Sequence, residues 1–380
     1  MVPQFHFSRR ALLLSSAAAF GCRRPPKATG YTGYCFVANQ KGRSVAVVDL
    51  NNFHRLPAIR LDSEPSLVLA HPARPKAFVL APAAGTVYEI DAASFSVSRR
   101  VPAGEQLVSM KLDPAGDSLW VLSRNPATLI QISLDSLQPR RRIHLTAPSD
   151  DFDLSPDGRA VVVSREAHAV FLASRERAVI ERTIAMPTEP TSVCFQSDGK
   201  QILAASRADR SITIVDAVTG KIVVRLPLPF APRRFCFSSD GGQLFLTGDG
   251  MDAVVIVYPY QTEVAETILA GRAPAAMATT GSAPGPYLLV ANPPTNTVTV
   301  LNIDDRRLVS VVEVGQAPCE ILITPDNQYA LVLNENSGDL AVIRLYSLDN
   351  PARTHRYKSA SLFTLVPVGA KPVSAAVVRL

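Results

Sequence analysis

The 380-residue chain is poor in charge, in aromatic side chains and in closely spaced cysteines. Only 19% of its residues are charged and 47% are apolar, a balance unlike that of disordered chains and sufficient for a sizeable core. The absence of sustained helical periodicity excludes a helical solenoid. The net charge of +6 is scattered rather than gathered on a basic face interleaved with aromatic residues, so nucleic acid is not an expected partner.

The sequence also lacks the short motifs that mark common catalytic and cofactor sites. None of its six histidines lies in a Cys-x-x-Cys-His haem-attachment motif or a His-Glu-x-x-His zinc motif. There is no Walker-type phosphate loop, no Gly-x-Ser-x-Gly nucleophile elbow and no Asp-rich calcium loop. These absences argue against covalent haem within this chain, and we expect neither a cofactor nor a metal site.

Four cysteines lie beyond the N-terminal region, and no two of them are close in sequence. An exported protein could oxidise them. Each nevertheless lies in or beside an apolar, strand-like run, where a free cysteine behaves as a small hydrophobic residue. This second interpretation is favoured for Cys35, Cys194, Cys236 and Cys319.

The first 22 residues are typical of an export signal. A twin-arginine pattern at Arg9 and Arg10 precedes an apolar run through Phe20 that is too short to span a bilayer. The residues before Cys22 are similar to a bacterial lipobox, with Ala19 in place of the usual Leu. Lipidation of Cys22 and ordinary cleavage among the preceding small residues are alternative predictions. Both place the mature protein in the periplasm or cell envelope, with membrane contact only through a lipid anchor.

The rest of the chain repeats with a period of about 42 residues. Each repeat contains a tight turn after an apolar segment, and Asp-Pro-Ala-Gly at 113–116 is one example. Proline presets φ, while Asp, Asn and Gly tolerate the other turn positions. Three further β-forming runs follow each turn. The turns are separated by 42, 42, 41, 42, 42 and 44 residues, counted between Pro72, Pro114, Pro156, Ser197, Ser239, Gly281 and Pro325.

Four short strands per repeat predict an antiparallel, up-and-down sheet. One such sheet cannot bury both faces alone, but sheets packed around an axis can, so the repeats predict an all-β propeller. Residues 34–62 supply three strands without an inner strand, and the run at 373–378 is an inner strand with nothing after it. Pairing of these segments closes the ring and gives eight blades, with seven as the alternative count. The propeller is predicted to span residues 34–380, after a linker at 23–33.

Several hexapeptides carry a family resemblance. They are Tyr-Leu-Leu-Val-Ala-Asn at 287–292, Asn-Thr-Val-Thr-Val-Leu at 296–301 and Tyr-Cys-Phe-Val-Ala-Asn at 34–39, with a looser copy at 329–334. These repeats resemble the YVTN-repeat β-propeller family of exported bacterial and archaeal proteins. The resemblance implies export, a binding or surface role and grouping with lactonase-like propellers. Known members are mostly seven-bladed, so eight blades depart from the family, and the resemblance supplies no catalytic residues.

Polar side chains are concentrated where the inner strands of the middle repeats begin, the position at which loops from every blade converge. We take as candidate ligand-binding residues Lys111, Asp150, Asp151, Asp153, Arg233, Arg234 and Glu320. The arginines could bind carboxylate or phosphate oxygens, or a polyol. The carboxylates could instead hold a metal or act as acid and base. A structural alternative pairs Lys111 with Asp153 across neighbouring blades and leaves the others as solvated charges.

The leading functional interpretation is an exported, non-enzymatic scaffold that binds a partner protein or a small anionic or polyol ligand. One alternative is a lactonase-like hydrolase of a lactone or sugar acid that uses the Asp-rich rim. A second is a propeller subunit associated with a periplasmic oxidoreductase. An insertion between Leu348 and Ser361 is interpreted either as a docking loop for an acidic partner or as a solvated loop, and it contains Arg353, His355, Arg356 and Lys358.

Overall fold

The computed structural model describes residues 30–348 and 361–379. Within these ranges the strands form eight separate four-stranded antiparallel sheets, which confirms the predicted all-β propeller and its count of eight blades. None of the helices in the described ranges is long and apolar enough to cross a membrane. The export signal, Cys22 and the insertion at 349–360 lie outside the described residues.

The blades follow one another along the chain, and each consists of four strands ordered from the inner to the outer position. The first four are blade 1, β32 (Pro372–Arg379), β1 (Gly33–Asn39), β2 (Ser44–Asp49) and β3 (His54–Arg60); blade 2, β4 (Leu67–Ala70), β5 (Lys76–Ala81), β6 (Thr86–Asp91) and β7 (Ser96–Pro102); blade 3, β8 (Glu105–Leu112), β9 (Ser118–Asn125), β10 (Thr128–Ser133) and β11 (Pro139–His144); and blade 4, β12 (Asp151–Leu154), β13 (Arg159–Ser164), β14 (Ala169–Ser174) and β15 (Val179–Ala185).

The other four blades repeat this order. They are blade 5, β16 (Pro190–Phe195), β17 (Gln201–Ser206), β18 (Ser211–Asp216) and β19 (Ile222–Pro227); blade 6, β20 (Ala231–Phe237), β21 (Leu244–Asp249), β22 (Ala253–Tyr258) and β23 (Glu263–Leu269); blade 7, β24 (Met277–Thr279), β25 (Tyr287–Asn292), β26 (Thr297–Asn302) and β27 (Leu308–Glu313); and blade 8, β28 (Pro318–Ile323), β29 (Tyr329–Asn334), β30 (Asp339–Arg344) and β31 (Leu362–Pro367). Short 3-10 turns cover Pro82–Ala84, Pro293–Thr295 and Leu345–Ser347.

The two ends of the described chain meet in blade 1. Strand β32 pairs with β1 in antiparallel register, with Tyr34 opposite Val378 and Phe36 opposite Ala376. This pairing confirms the predicted closure of the ring by the C-terminal strand. It supplies blade 1 with its inner strand, and it removes a sheet edge that would otherwise be open.

The hydrophobic core lies between neighbouring blades. Every residue of β25 is buried, and so is every residue of β10, because each middle strand packs against an adjoining blade on both of its faces. One interblade cluster joins Phe36 of blade 1 to Tyr88 of blade 2, and another joins Trp120 of blade 3 to Phe152 of blade 4. Burial of such aromatic side chains stabilises the fold by about 2–3 kcal/mol each.

The repeated turns adopt the backbone geometry that their sequences predict. Gly116 and Gly241 have φ values of 75° and 72°, in the left-handed region that glycine enters without steric cost. Asn327 takes this conformation in the last repeat, at φ 54°. The turns therefore place successive strands in register, and every inner strand begins at the same face of the ring.

Candidate ligand-binding rim

We call the face on which the inner strands begin the upper rim. Because successive strands alternate in direction, this face also carries the turn between the second and third strands of each blade and the connection from each outer strand to the next inner strand. Asp150 and Arg233 lie at the upper rim, at the beginning of β12 and β20. Lys111 and Asp153 lie farther along their inner strands.

Lys111 and Asp153 join blade 3 to blade 4. The Lys111 Nζ is 2.8 Å from Asp153 Oδ1, so the structural alternative for this pair is confirmed. The second oxygen of Asp153 accepts the backbone N–H of Phe195, from blade 5, at 2.7 Å. Asp153 therefore connects three consecutive blades, and its carboxylate is occupied on both oxygens.

Asp151 is bonded in a similar way. Its Oδ2 accepts the backbone N–H of Val193 in blade 5 at 3.0 Å, and its Oδ1 accepts the N–H of Phe152 at 2.9 Å. Burial raises the pKa of Asp151, although the nearby Lys111 charge opposes that shift. Burial disfavours the Lys111 ammonium, but Asp153 and Asp151 outweigh it and raise the pKa of Lys111 above its ordinary value. These groups form a partly buried network in the channel wall, in which two carboxylates lie near one ammonium.

In two other blades, the residue aligned with Asp151 also accepts a backbone N–H from the next blade. Glu320 of blade 8 accepts the backbone N–H of Ala375 in β32. The hydroxyl of Ser374 in blade 1 accepts the N–H of Val68 in blade 2 at 3.3 Å. We call these side chain-to-backbone bonds between successive inner strands interblade bonds. Asp151, Glu320 and Ser374 occupy one position of the 42-residue repeat. This shared position was the sequence signal for their shared structural role.

Asp150 and Asp249 bind arginines, and three of these, Arg124, Arg165 and Arg207, were not candidates from the sequence. Asp150 contacts Arg124 and accepts the backbone N–H of Arg165 at 2.8 Å. Asp249 lies 2.8 Å from Arg233 Nε and 2.5 Å from Arg207 Nη2. Each missed arginine follows a serine at the end of the second strand of its blade, in Ser-Arg at 123–124, 164–165 and 206–207. Their spacing of 41 and 42 residues was the signal that could have found them.

An opening at the upper rim lies between blades 6, 7 and 8, and we call it the rim cleft. Its volume is about 870 Å³, and its charged lining residues are Arg233, Arg234, Asp249, Asp252, Arg272 and Glu335. The acids are engaged locally: Asp249 with Arg233, Asp252 with the N–H of Ala273 at 2.9 Å, and Glu335 with Lys371 at 3.7 Å.

Two guanidinium groups in the rim cleft have no such partner. Within residues 30–348 and 361–379, Arg234 and Arg272 are exposed and form no ion pair with a carboxylate. The rim cleft therefore presents to solvent two guanidinium groups that are not held in ion pairs within the described residues.

Glu320 follows Cys319, one of the residues that line the rim cleft. Burial raises its pKa to about 7, against the opposing effects of the Arg234 charge and the N–H of Ala375. Blade 7 lies between the blades of Arg234 and Glu320 and has the small residue Ala276 at the position aligned with them. The Arg234 charge therefore still acts on Glu320. The same charge acts on Cys319, whose pKa burial raises to about 12. Sequence reasoning placed Arg234 and Glu320 at one repeat position and did not anticipate that they would interact.

The described residues contain no group of three or more His, Cys, Asp or Glu side chains arranged to hold a metal ion. Asp150, Asp151 and Asp153 bind different arginine, lysine and backbone partners. The four cysteines in the described ranges are free thiols, and two of them, Cys35 and Cys194, are buried. Burial raises the pKa of Cys35 to about 12, as expected of an unreactive core thiol.

No protein-family model matches the chain, and no curated protein matches it. Solved structures are similar to it in fold. Hydrazine synthase of Kuenenia stuttgartiensis is 20% identical with a TM-score of 0.59, and the match covers 75% of this chain and 96% of that one. Dihydro-haem d1 dehydrogenase NirN in complex with DHE is 15% identical with a TM-score of 0.74, and the match covers 93% of this chain and 77% of that one.

A third similar structure is a functionally unknown protein from Desulfotomaculum acetoxidans. It is 12% identical with a TM-score of 0.60, and the match covers 92% of this chain and 99% of that one. At these identities the likeness shows the eight-bladed propeller fold alone.

Proposed function

We propose that the protein is an exported, non-enzymatic binding scaffold of the YVTN-repeat type, and that its rim cleft takes a carboxylate-bearing ligand or an acidic segment of a partner protein. The observation that carries this proposal is that two exposed arginines, Arg234 and Arg272, form no ion pair within the described residues and line a cleft of about 870 Å³. Export rests on the twin-arginine pattern of the first 22 residues, and anchoring rests on lipidation of Cys22.

The chemistry of the rim cleft suits an oxyanion. A guanidinium presents a planar fork of donors that matches a carboxylate in a bidentate geometry, and such charge-assisted bonds are about twice as strong as neutral ones. Arg234 lies at the channel mouth and Arg272 in the connection from blade 6 to blade 7. The cleft also lies within the range of about 300–1,000 Å³ that is usual for small-molecule sites. It therefore has room for a ligand with more than one acidic group.

A hydrolase at the Asp-rich rim is less well supported. A general base needs a carboxylate that can reach the proton it removes. The oxygens of Asp151 and Asp153 accept backbone N–H groups or bind Lys111, and Asp150 is bonded to Arg124 and Arg165. An association with a periplasmic oxidoreductase has no residue in the described chain to support it, and we do not propose it.

The proposal is tested by titrating the mature protein with citrate at low ionic strength in a calorimeter. We expect Arg234→Ala and Arg272→Ala each to weaken citrate binding by roughly tenfold, because each removes a charge-assisted bond. The matched control is Arg142→Ala, which removes an exposed cation from the outer strand of blade 3 and lies outside the cleft. Equal weakening by all three variants, or no citrate binding by the wild-type protein, would contradict the proposal.

A further inference from the structure

The outer edge of blade 1 contains a second cationic cleft, separate from the rim cleft. It is lined by the turn between β1 and β2 and by β3, and its volume is about 520 Å³. Three arginines line it, Arg43, Arg55 and Arg60, together with Ser44. We call it the edge cleft.

The cations of the edge cleft have no acidic counterpart. Among the residues that the structure describes, Arg43, Arg55 and Arg60 form no ion pair with a carboxylate. Of the three acids in blade 1 and its connection to blade 2, Asp49 and Asp62 are engaged elsewhere, and Glu64 forms no ion pair within the described residues. Asp49 accepts the N–H of Asn51 at the opposite end of β2, and Asp62 binds Arg100 at 2.8 Å. Like charges in one cleft repel each other, and an anion that binds there removes that repulsion.

An adjoining cleft extends the positive charge towards blade 8. It shares Arg55 with the edge cleft and adds Lys41 and Lys371. Its single carboxylate, Glu335, lies 3.7 Å from Lys371. Four of the five cations around these two openings therefore remain without an acidic partner in the described chain.

The repeat identifies the edge cleft as an exception. Arg60 pairs in register with Ser44, the first residue of β2. The residues at this position in blades 2 to 8 are Pro102, His144, Ala185, Pro227, Leu269, Glu313 and Pro367. No other blade has an arginine or lysine there. Because the blades share one scaffold, the fold does not require a cation at this position.

Blade 5 provides an internal comparison. Its turn between the second and third strands also contains an arginine, Arg210, at the position of Arg43. Next to it is Asp209, whose carboxylate lies 3.6 Å from Arg225 of the outer strand. In blade 1 the residue aligned with Asp209 is Gly42. The edge of blade 5 thus has one acid beside its two arginines, while the edge of blade 1 lacks the corresponding acid.

We propose that the edge cleft is a binding site for a phosphate group. A phosphate presents at least three strong acceptor oxygens and close to two negative charges at neutral pH, so it can accept donors from several guanidinium groups at once. A carboxylate has two oxygens and matches a single fork. The cleft is larger than a phosphate alone, so it has room for the group to which the phosphate is attached. That group is either a soluble phosphorylated compound or a phospholipid headgroup.

The test uses two probes with the mature protein at low ionic strength. Inorganic pyrophosphate, titrated by calorimetry, represents the soluble source. Vesicles of phosphatidylglycerol and phosphatidylcholine, compared with phosphatidylcholine alone in a sedimentation assay, represent the headgroup. We expect Arg55→Ala and Arg60→Ala to weaken binding of one or both probes by roughly tenfold each.

Gly42→Asp is the sharpest variant, because it supplies the acid that blade 5 has. A Cβ at Gly42 would lie 3.1 Å from the hydroxyl of Ser44, a side chain that can rotate away, and 3.2 Å from the Cβ of the buried Asn39, which would have to shift by a few tenths of an ångström. We expect this variant to weaken binding as strongly as the arginine variants, whereas Gly42→Ala, which meets the same neighbours without adding an acid, should retain binding and should match Gly42→Asp in thermal unfolding. The matched control is Arg142→Ala, which removes an exposed cation from the outer strand of blade 3.

Selective loss with pyrophosphate supports a soluble source, and selective loss with anionic vesicles alone supports a headgroup. The proposal is overturned if wild-type protein binds neither probe, or if the edge-cleft variants behave like Arg142→Ala with both. Failure of citrate to bind at the rim cleft would leave this result unaffected, because the two clefts are tested with different variants.

Discussion

Blades 4 and 6 both begin their inner strands with a pair of like charges at the same repeat positions, but the two pairs make different contacts. Asp151 of blade 4 accepts the N–H of Val193 in the next blade, whereas Arg234 of blade 6 is exposed in the rim cleft. An arginine has no acceptor atom and cannot form this interblade bond. The comparison shows that acceptor chemistry, more than charge, decides whether a residue at this position joins blades or stays available to a ligand.

The largest effect is expected from the network of blade 4. Asp153→Ala leaves the Lys111 charge and the N–H of Phe195 without their partner, so we expect the free energy of unfolding to fall by about 3 kcal/mol, the lower end for a partly buried pair. Urea denaturation followed by circular dichroism measures this loss. Asp153→Asn keeps an acceptor for Phe195 and should lose less. If Asp153→Ala and Arg234→Ala were equally stable, the distinction between the two blades would be wrong.

A smaller effect is expected from Glu320, which forms an interblade bond as Asp151 does and also interacts with the charge of Arg234. Its pKa is raised to about 7 in the folded state, mainly by burial, from an ordinary value of 4.5. Between these pH values the folded protein binds more protons than the unfolded chain, so the contribution of Glu320 to stability falls as the pH rises. The full shift would correspond to roughly 3 kcal/mol, which partial exposure and solvent screening reduce to about 2 kcal/mol.

Glu320→Gln removes this dependence on pH. We expect the stability of the wild type, relative to that of the variant, to decrease between pH 4.5 and pH 7 and to level off above the folded pKa. Thermal unfolding at a series of pH values measures the difference. Parallel curves for the two proteins would show that Glu320 titrates normally and is not desolvated beside β32.

The repeat period explains why the fold could be predicted from the sequence. Turns spaced by about 42 residues define the blades, and an unpaired inner strand at 373–378 requires a partner at the other end of the ring. The described ranges contain both features as predicted, with β32 paired to β1. Periodic turn residues determine strand number and order almost directly, because each turn is a local structure that its own few residues specify.

The site was only partly predictable, because its contacts join residues that are one or two repeats apart. The sequence showed that Asp151, Arg234 and Glu320 are polar residues at one repeat position, but not which of them bonds to the next blade. Arg207 and Arg272 were missed because they lie in connections rather than on inner strands. The edge cleft was missed because its arginines lie in a turn and on an outer strand that are separate in sequence. The alignment of Gly42 in blade 1 with Asp209 in blade 5 follows from the strand register, which the structure supplies.

The smallest expected effect on stability is that of Arg234→Ala, and it sharpens the comparison most directly. Arg234 is exposed and makes no interblade bond, so its loss should change the free energy of unfolding by less than about 0.5 kcal/mol. Its charge nevertheless lowers the pKa of Glu320, so the variant should show a Glu320 pKa above that of the wild type, measured by carbon-13 NMR titration of the glutamate carboxyl groups. Arg233→Ala is the matched control, because Arg233 is bound to Asp249 instead. An unchanged Glu320 pKa in Arg234→Ala would mean that the two groups do not interact, and a large loss of stability would mean that Arg234 belongs to the scaffold, as Asp151 does.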